Sequence, residues 1–144
     1  MDKIVFITGA SSGIGAGCAR KFASQGASLI LNARNVNKLS ALKEELEKQY
    51  GAKIYLLPFD VRDRKAATSA LESLPKEWQS IDILVNNAGL VIGTDKEQEG
   101  SLDEWDIVID TNIKALLAMT RLIVPGMVER KRGHIINIGS IAGD

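Results

Sequence analysis

The stretch Ile4-Val5-Phe6-Ile7-Thr8-Gly9-Ala10-Ser11-Ser12-Gly13-Ile14-Gly15 decides how this chain folds. Lys3 to Thr8 is a short, β-branched apolar run closed by glycine, which reads as a buried strand. Gly13 to Gln25 then reads as a helix, with Ile14, Cys18, Ala19 and Phe22 on one face and Gly26 as its stop. A strand running through a glycine-lined bend into a helix start is the outline of an anion site. Backbone N–H groups face outward there, residues without a Cβ allow close approach, and the helix end carries partial positive charge. The same glycines could serve only as a connector. Their place after the first strand of an alternating pattern favours nucleotide binding.

The alternation continues outward from this point. Ser28 to Ala33 reads as a second strand and Lys38 to Tyr50 as a helix, with Leu39, Leu42 and Leu46 inward and Gly51 closing it. Lys53 to Phe59 is a third strand. Arg64 to Leu74 is a helix with Ala67, Ala70, Leu71 and Leu74 on its inner face, and Ile81 to Asn86 is a fourth strand. A polar loop runs through Gly100. Ser101-Leu102-Asp103-Glu104 then has the capping-box pattern that starts a helix. The segment after it carries Ile113, Leu116, Leu117, Thr120, Val124 and Met127 on one stripe, a candidate subunit interface or a face for further chain to cover. Pro125 is expected to bend or end that helix. His134 to Ile138 reads as a fifth strand whose bare edge invites self-association. Repeated βα units imply an α/β domain around a parallel sheet.

Composition excludes other classes. The 144 residues are 45% hydrophobic and 25% charged, which fits one globular domain. Eighteen basic and eighteen acidic side chains cancel, so no field points to nucleic acid or an anionic membrane. Cys18 is the single cysteine, which leaves no internal disulfide or zinc cluster and suits a reducing compartment. The apolar run at the amino terminus is too short for a signal peptide or a span, so a cytoplasmic location is expected.

The spacing Gly9-x-x-x-Gly13-x-Gly15 is not the Gly-x-Gly-x-x-Gly of ordinary dinucleotide folds. With Asn86-Asn87-Ala88-Gly89 ending the fourth strand, it makes the chain resemble the short-chain dehydrogenase/reductase family, from Met1 to Asp144. Leu74-Pro75, Trp78, Ile81 through Leu90 and Pro125-Gly126-Met127-Val128-Glu129-Arg130 are similar to the branch that oxidises serine and 3-hydroxy acids with NADP. The resemblance implies a Rossmann-type doubly wound sheet of order 3-2-1-4-5, ending here after the fifth strand. It also implies an incomplete NADP-binding domain over residues 1–144 and a homo-oligomer, dimer or tetramer, when complete. The partners it implies are a small alcohol or carbonyl substrate, with neither nucleic acid nor membrane.

Site residues follow position by position. Gly9, Ser11, Ser12, Gly13, Ile14 and Gly15 would take the cofactor phosphates. Arg34 follows the second strand where an NAD enzyme usually has a carboxylate. A guanidinium there can hold the 2′-phosphate of NADP(H) through two charge-assisted bonds, though a solvated surface arginine is the bland alternative. Asn35 stands where the branch often has a second arginine. By resemblance Asp60 meets the adenine amino group and the Val61 backbone lies along the ring. Asp60 or Asp63 could equally cap the next helix. Asn87, Ala88 and Gly89 would wall the adenosine ribose and brace the sheet.

Asn112, a poor helix-interior residue, would hold a water in a proton relay, the alternative being an exposed helical Asn. Ser140 would donate a hydrogen bond to the substrate carbonyl oxygen. His134 reads as a surface turn residue and Cys18 as packed core. Trp78 and Trp105 read as packing anchors, and Glu97, Glu99, Asp103 and Glu104 as a solvated acidic face. The family's Tyr-x-x-x-Lys acid/base segment is missing, since neither Tyr50 nor Tyr55 begins one. The chain is therefore expected to be the cofactor-binding part of a reductase, inactive alone, with a non-catalytic nucleotide sensor or scaffold as the alternative.

Overall fold

The computed structural model describes residues 1–87 and 102–138, with backbone alone for 102–109 and 111. The elements are β1 (Ile4–Ile7), α1 (Gly13–Ser24), β2 (Ser28–Leu31), α2 (Val36–Tyr50), β3 (Ile54–Leu56) and α3 (Arg64–Glu72). A 3-10 turn (Lys76–Trp78), β4 (Ile83–Asn86), α4 (Leu102–Arg130) and β5 (His134–Asn137) complete them. The strands form one parallel sheet in the order β3-β2-β1-β4-β5, as the sequence leads one to expect. β1 therefore sits at the centre, paired from Ile4 to Ile7 with β2 and from Val5 to Ile7 with β4.

Alternation along the strands builds two cores. Val5, Ile7, Leu29, Leu31, Ile83 and Val85 face one side, against Ala19, Ala23, Leu39, Leu42 and Leu46 of α1 and α2. Phe6, Ile30 and Leu84 face the other, against Ala67, Leu74 and Trp78 and against Ala115, Met119, Ile123 and Met127 of α4. Both faces of a parallel sheet need such cover, which is why its strands are nearly continuous apolar runs. Trp78 anchors the second core as expected: it is buried, with the Tyr55 ring 5.7 Å away and the Lys53 ammonium 5.1 Å above it. The side chain of Trp105 lies outside the described residues, as do Glu97, Glu99 and the side chains of Asp103 and Glu104. His134 opens β5 exposed, and Cys18 packs half-buried against the first core.

Two expectations need correction. Helix α2 starts at Val36, not Lys38, because the Asn35 side chain accepts from the Lys38 amide at 3.3 Å and caps the helix there. Of the two outcomes expected at Pro125, an end is ruled out, since helix α4 runs through it to Arg130. The proline forfeits its own backbone bond and crowds the Arg121 carbonyl one turn back, and burial of Ile123 and Met127 on either side holds the turn to the sheet. The face that α4 turns to the sheet is a different one from the stripe singled out above as a candidate interface. Asn112, Ala115, Met119, Ile123 and Met127 are inside, while Ile113 and Leu117 are 49% and 58% exposed. Small Ala115 at the contact lets the helix lie close over Phe6 and Leu84.

The ends of α2 and α4 solve one problem with different residues. Gly51 closes α2 in the left-handed region at φ 62°, whereas Lys131 does so after α4 at φ 55°. The Lys131 and Arg132 amides reach back to the Val128 and Met127 carbonyls. A side chain in that region costs about 1 kcal/mol. Lys131→Gly is accordingly expected to raise stability by about 0.5–1 kcal/mol, read as a higher urea midpoint at unchanged slope. A lower midpoint would show that Lys131 makes compensating contacts.

Candidate nucleotide-binding site

At the carboxyl end of β1 the chain turns on Gly9, whose φ of 61° is open to glycine at no cost. The Gly9 carbonyl gathers the Ser12 amide at 3.2 Å, the Ser12 hydroxyl at 2.9 Å and the Asn87 side-chain amide at 3.2 Å. Ser12 then caps α1, its hydroxyl accepting from the Gly15 amide at 3.2 Å. Gly15 is there for packing: a Cβ on it would stand 2.2 Å from the Gly9 oxygen and 2.6 Å from Asn87 Nδ2. Gly13 is different, since a Cβ on it would meet nothing within 4 Å. Ile14 beside it is half-exposed, and the amides of Gly13 and Ile14 find no protein acceptor among the described residues. Two donors at a helix start, next to open space and with no acidic residue in the first turn, suit an anion.

Neighbouring strands clamp this bend from both sides. The Ala10 amide donates to the Asn32 carbonyl at 2.7 Å, tying it to the end of β2. On the other flank, the Asn87 amide donates to Thr8 Oγ1 at 2.9 Å, and its side chain also reaches Ser12 Oγ at 3.0 Å. Asn32, buried, spends its side-chain amide on the Leu57 and Phe59 carbonyls, both at 3.0 Å. It therefore fixes the turn that presents Asp60. Asn86, also buried, donates to Thr120 Oγ1 at 3.2 Å and to Asn137 Oδ1 at 3.1 Å, joining β4, α4 and β5 at the same rim. Asn87 braces the sheet as expected, whereas the side-chain bonds of Asn32 and Asn86 had no signal in the sequence, because each joins residues at least 25 positions apart.

The structure brings most of the expected residues to one rim, the carboxyl ends of the strands. Ser11, Ser12 and the glycines follow β1, Arg34 follows β2, Asp60 and Val61 follow β3, and Asn87 follows β4. Arg34 is exposed, one residue before the Asn35 cap of α2. Val61 is buried, and Asp63, not Asp60, caps α3 by accepting from the Ala66 amide at 3.1 Å. Asp60 instead accepts from Arg62: its Oδ1 from the amide and Nε at 3.0 and 3.1 Å, its Oδ2 from Nη2 at 2.9 Å. Those bonds hold the Asp60 carboxyl below the ordinary carboxylate range; partial burial opposes this and the nearby Arg34 charge adds to it. An Asp followed two residues later by Arg is the local signal that could have revealed the pair.

Asn112 is buried in α4, so it is not an exposed helical Asn. Ala88, Gly89 and Ser140 lie outside the described residues. Burial pushes the Cys18 thiol up, away from reactive thiolate character. Among the described residues no group of three or more His, Cys, Asp or Glu side chains could hold a metal, and no helix is long and apolar enough to cross a membrane.

A central parallel sheet with an amide-lined bend at the rim where its strand order reverses defines a Rossmann-type α/β fold. The chain belongs to the short chain dehydrogenase family, whose model it matches over residues 3–144. It is 49% identical over 140 residues to the NADP-dependent 3-hydroxy acid dehydrogenase YdfG of Escherichia coli O6:H1, covering 97% of this chain and 55% of that relative. Among solved structures, serine dehydrogenase from Escherichia coli superimposes with a TM-score of 0.82 at 49% identity, over 95% of this chain and 62% of that one. A closed form of serine dehydrogenase complexed with NADP+ gives 0.79 at 47% identity, over 95% and 54%. The chain thus spans little more than half the length of the curated relative.

Proposed function

We propose that this chain is the cofactor-binding part of an NADP-dependent oxidoreductase that interconverts a small secondary alcohol and its carbonyl product, with a 3-hydroxy acid or serine as the substrate class. The observation that carries the proposal is Arg34 on the loop after β2, which the Ala10–Asn32 bond ties to the glycine bend with its open Gly13 and Ile14 amides. The chemistry of its relatives, one named for NADP dependence and one complexed with NADP+, supports it.

The residues fit a dinucleotide of that kind. Gly9, Ser11, Ser12, Gly13, Ile14 and Gly15 offer amides and space to a diphosphate, and Arg34 offers two donors to a 2′-phosphate. Asp60 offers an acceptor to an adenine amino group, with the Val61 backbone along the ring. Asn87, with Ala88 and Gly89 following, borders the ribose. When bound, the nicotinamide supplies or accepts the hydride. Ser140 then donates to the substrate oxygen and favours the charge that builds there, while Asn112 holds a water for proton relay. The proton donor itself is not among Tyr50 and Tyr55, so residues 1–144 alone are expected to bind cofactor without turning over substrate. That missing donor is also what favours the second reading, a nucleotide sensor without chemistry. Hydride transfer from NADPH in a chain extended by a Tyr-x-x-x-Lys segment separates the two.

Fluorescence titration tests the cofactor assignment. NADPH is expected to bind more tightly than NADH, and Arg34→Asp to reverse that order by about tenfold or more, the worth of a charge-assisted pair replaced by repulsion. Equal, negligible response to both nucleotides in the parent chain would defeat the assignment.

A further inference from the structure

Arg34 after β2 and Arg62 after β3 stand at the end of the site proposed above for adenosine, and the Asp60 carboxylate there is bound to Arg62. Arg62 grips Asp60 with both Nε and Nη2, and its own amide adds a third bond, so Asp60 Oδ1 is saturated and only Oδ2 keeps an open lone pair. The Arg62–Asp60 pair closes at 2.9 Å. Arg34 stands two residues past Asn32, whose side chain bonds the Phe59 carbonyl next to Asp60, and it makes no ion pair among the described residues. An uncompensated carboxylate at that place would do two things. It would attract Arg34 from the adjoining loop, and it would repel a dianionic phosphate.

We propose that Arg62 is a specificity-determining positioning residue: by neutralising and holding Asp60, it leaves Arg34 free for the 2′-phosphate of the cofactor. This rests on the role of Arg34 given above. Arg62 need not touch the nucleotide at all. Its effect falls on the one group that distinguishes the phosphorylated cofactor, and it leaves the adenine contact at Oδ2 in place.

Adenosine 2′,5′-bisphosphate and adenosine 5′-monophosphate isolate that group, and calorimetric titration of each gives the ratio without turnover. In the parent chain the bisphosphate is expected to bind more tightly. Arg62→Gln should cut that advantage about tenfold while moving the monophosphate affinity by no more than about twofold. Arg62→Lys, which keeps the charge, should retain most of the advantage. The double change Arg62→Gln with Asp60→Asn should restore it, because the stranded carboxylate is gone. Asp60→Asn alone, which keeps the chain's arginines intact, should hold or raise it.

An equal loss for both ligands in Arg62→Gln, or no recovery in the double variant, overturns the proposal. Melting curves superimposable on the parent show that Arg62→Gln has not acted through unfolding, and if it does unfold, Asp60→Asn carries the test: a fall in the advantage there overturns the proposal. Failure of the underlying assignment looks different, since Arg34→Gln would then leave the advantage unchanged.

Discussion

Gly15→Ala is expected to lower the melting temperature by about 10 °C and to abolish nucleotide binding. The methyl would lie 2.2 Å from the Gly9 oxygen and 2.9 Å from the Gly9 carbonyl carbon, so it strikes backbone and not a side chain that can swing aside. Gly9 cannot retreat freely, because its carbonyl is held by Ser12 and Asn87. The helix would have to back away by about 1 Å to restore van der Waals contact, and the amides of Gly13 and Ile14 would move with it. Overpacking of this kind costs about 2–3 kcal/mol, which for a chain of this size is on the order of 10 °C. Gly13→Ala makes the control. Its methyl meets nothing, so the melting curve should not fall, and any loss of NADPH affinity would locate bound nucleotide in that open space. Thermal unfolding by circular dichroism, paired with nucleotide titration, reads both. A Gly15→Ala chain that melts like its parent would mean that α1 does not press on the bend as described.

Asp82→Ala is expected to cost about 2–3 kcal/mol, with no direct effect on the nucleotide rim. Asp82 lies at the opposite end of the sheet and is almost fully buried. Its Oδ2 accepts from the Ile4 amide at 2.9 Å, while Oδ1 pairs with Arg132 Nε at 2.9 Å. Its backbone meanwhile bonds to the Ile4 carbonyl and the His134 amide. One carboxylate thus closes the starts of β1 and β4 together and fastens the approach to β5. Removing it strands a backbone donor at a half-buried position, worth about 1–3 kcal/mol. The ion pair adds less than a buried one would, since half of Arg132 is in water. Arg132→Ala should therefore cost less than Asp82→Ala, and Asp82→Asn should fall between. Urea unfolding orders the three, and an Asp82→Ala midpoint equal to the parent would remove the clamp from the account.

Much of this was legible in the residues, for a reason that also explains the exceptions. Strand and helix positions follow from apolar period, and Gly51 marks its helix end through a backbone angle that few other residues accept. Those signals are local. The choice of which face of α4 turns inward is not, because Ile113 and Leu117 look as apolar as Ala115 and Met119 until the sheet beneath covers one set of them. Asn35 read as a missing arginine and turned out to be a helix cap, a local role that wins whenever a short polar side chain precedes a helix. Asp60 and Asp63 were both candidates for capping α3. Only the fold shows that Asp63 took that position and that Arg62 engaged Asp60. The buried amides of Asn32 and Asn86 were invisible for the opposite reason: their partners are far along the chain, and no spacing announces them.

The central place of β1 has a consequence for how the chain comes to be assembled. Its first-made strand is the one that needs neighbours on both sides, and the second neighbour, β4, arrives only after some seventy-five further residues. Because every strand among the described residues is parallel, none of them can pair early as a hairpin and wait. A growing polypeptide must therefore carry β1, β2 and β3 with one flank bare until Ile83 to Asn86 has left the ribosome. Closing so long a loop is slow, and the exposed flank is where a chaperone or a misplaced strand would bind first.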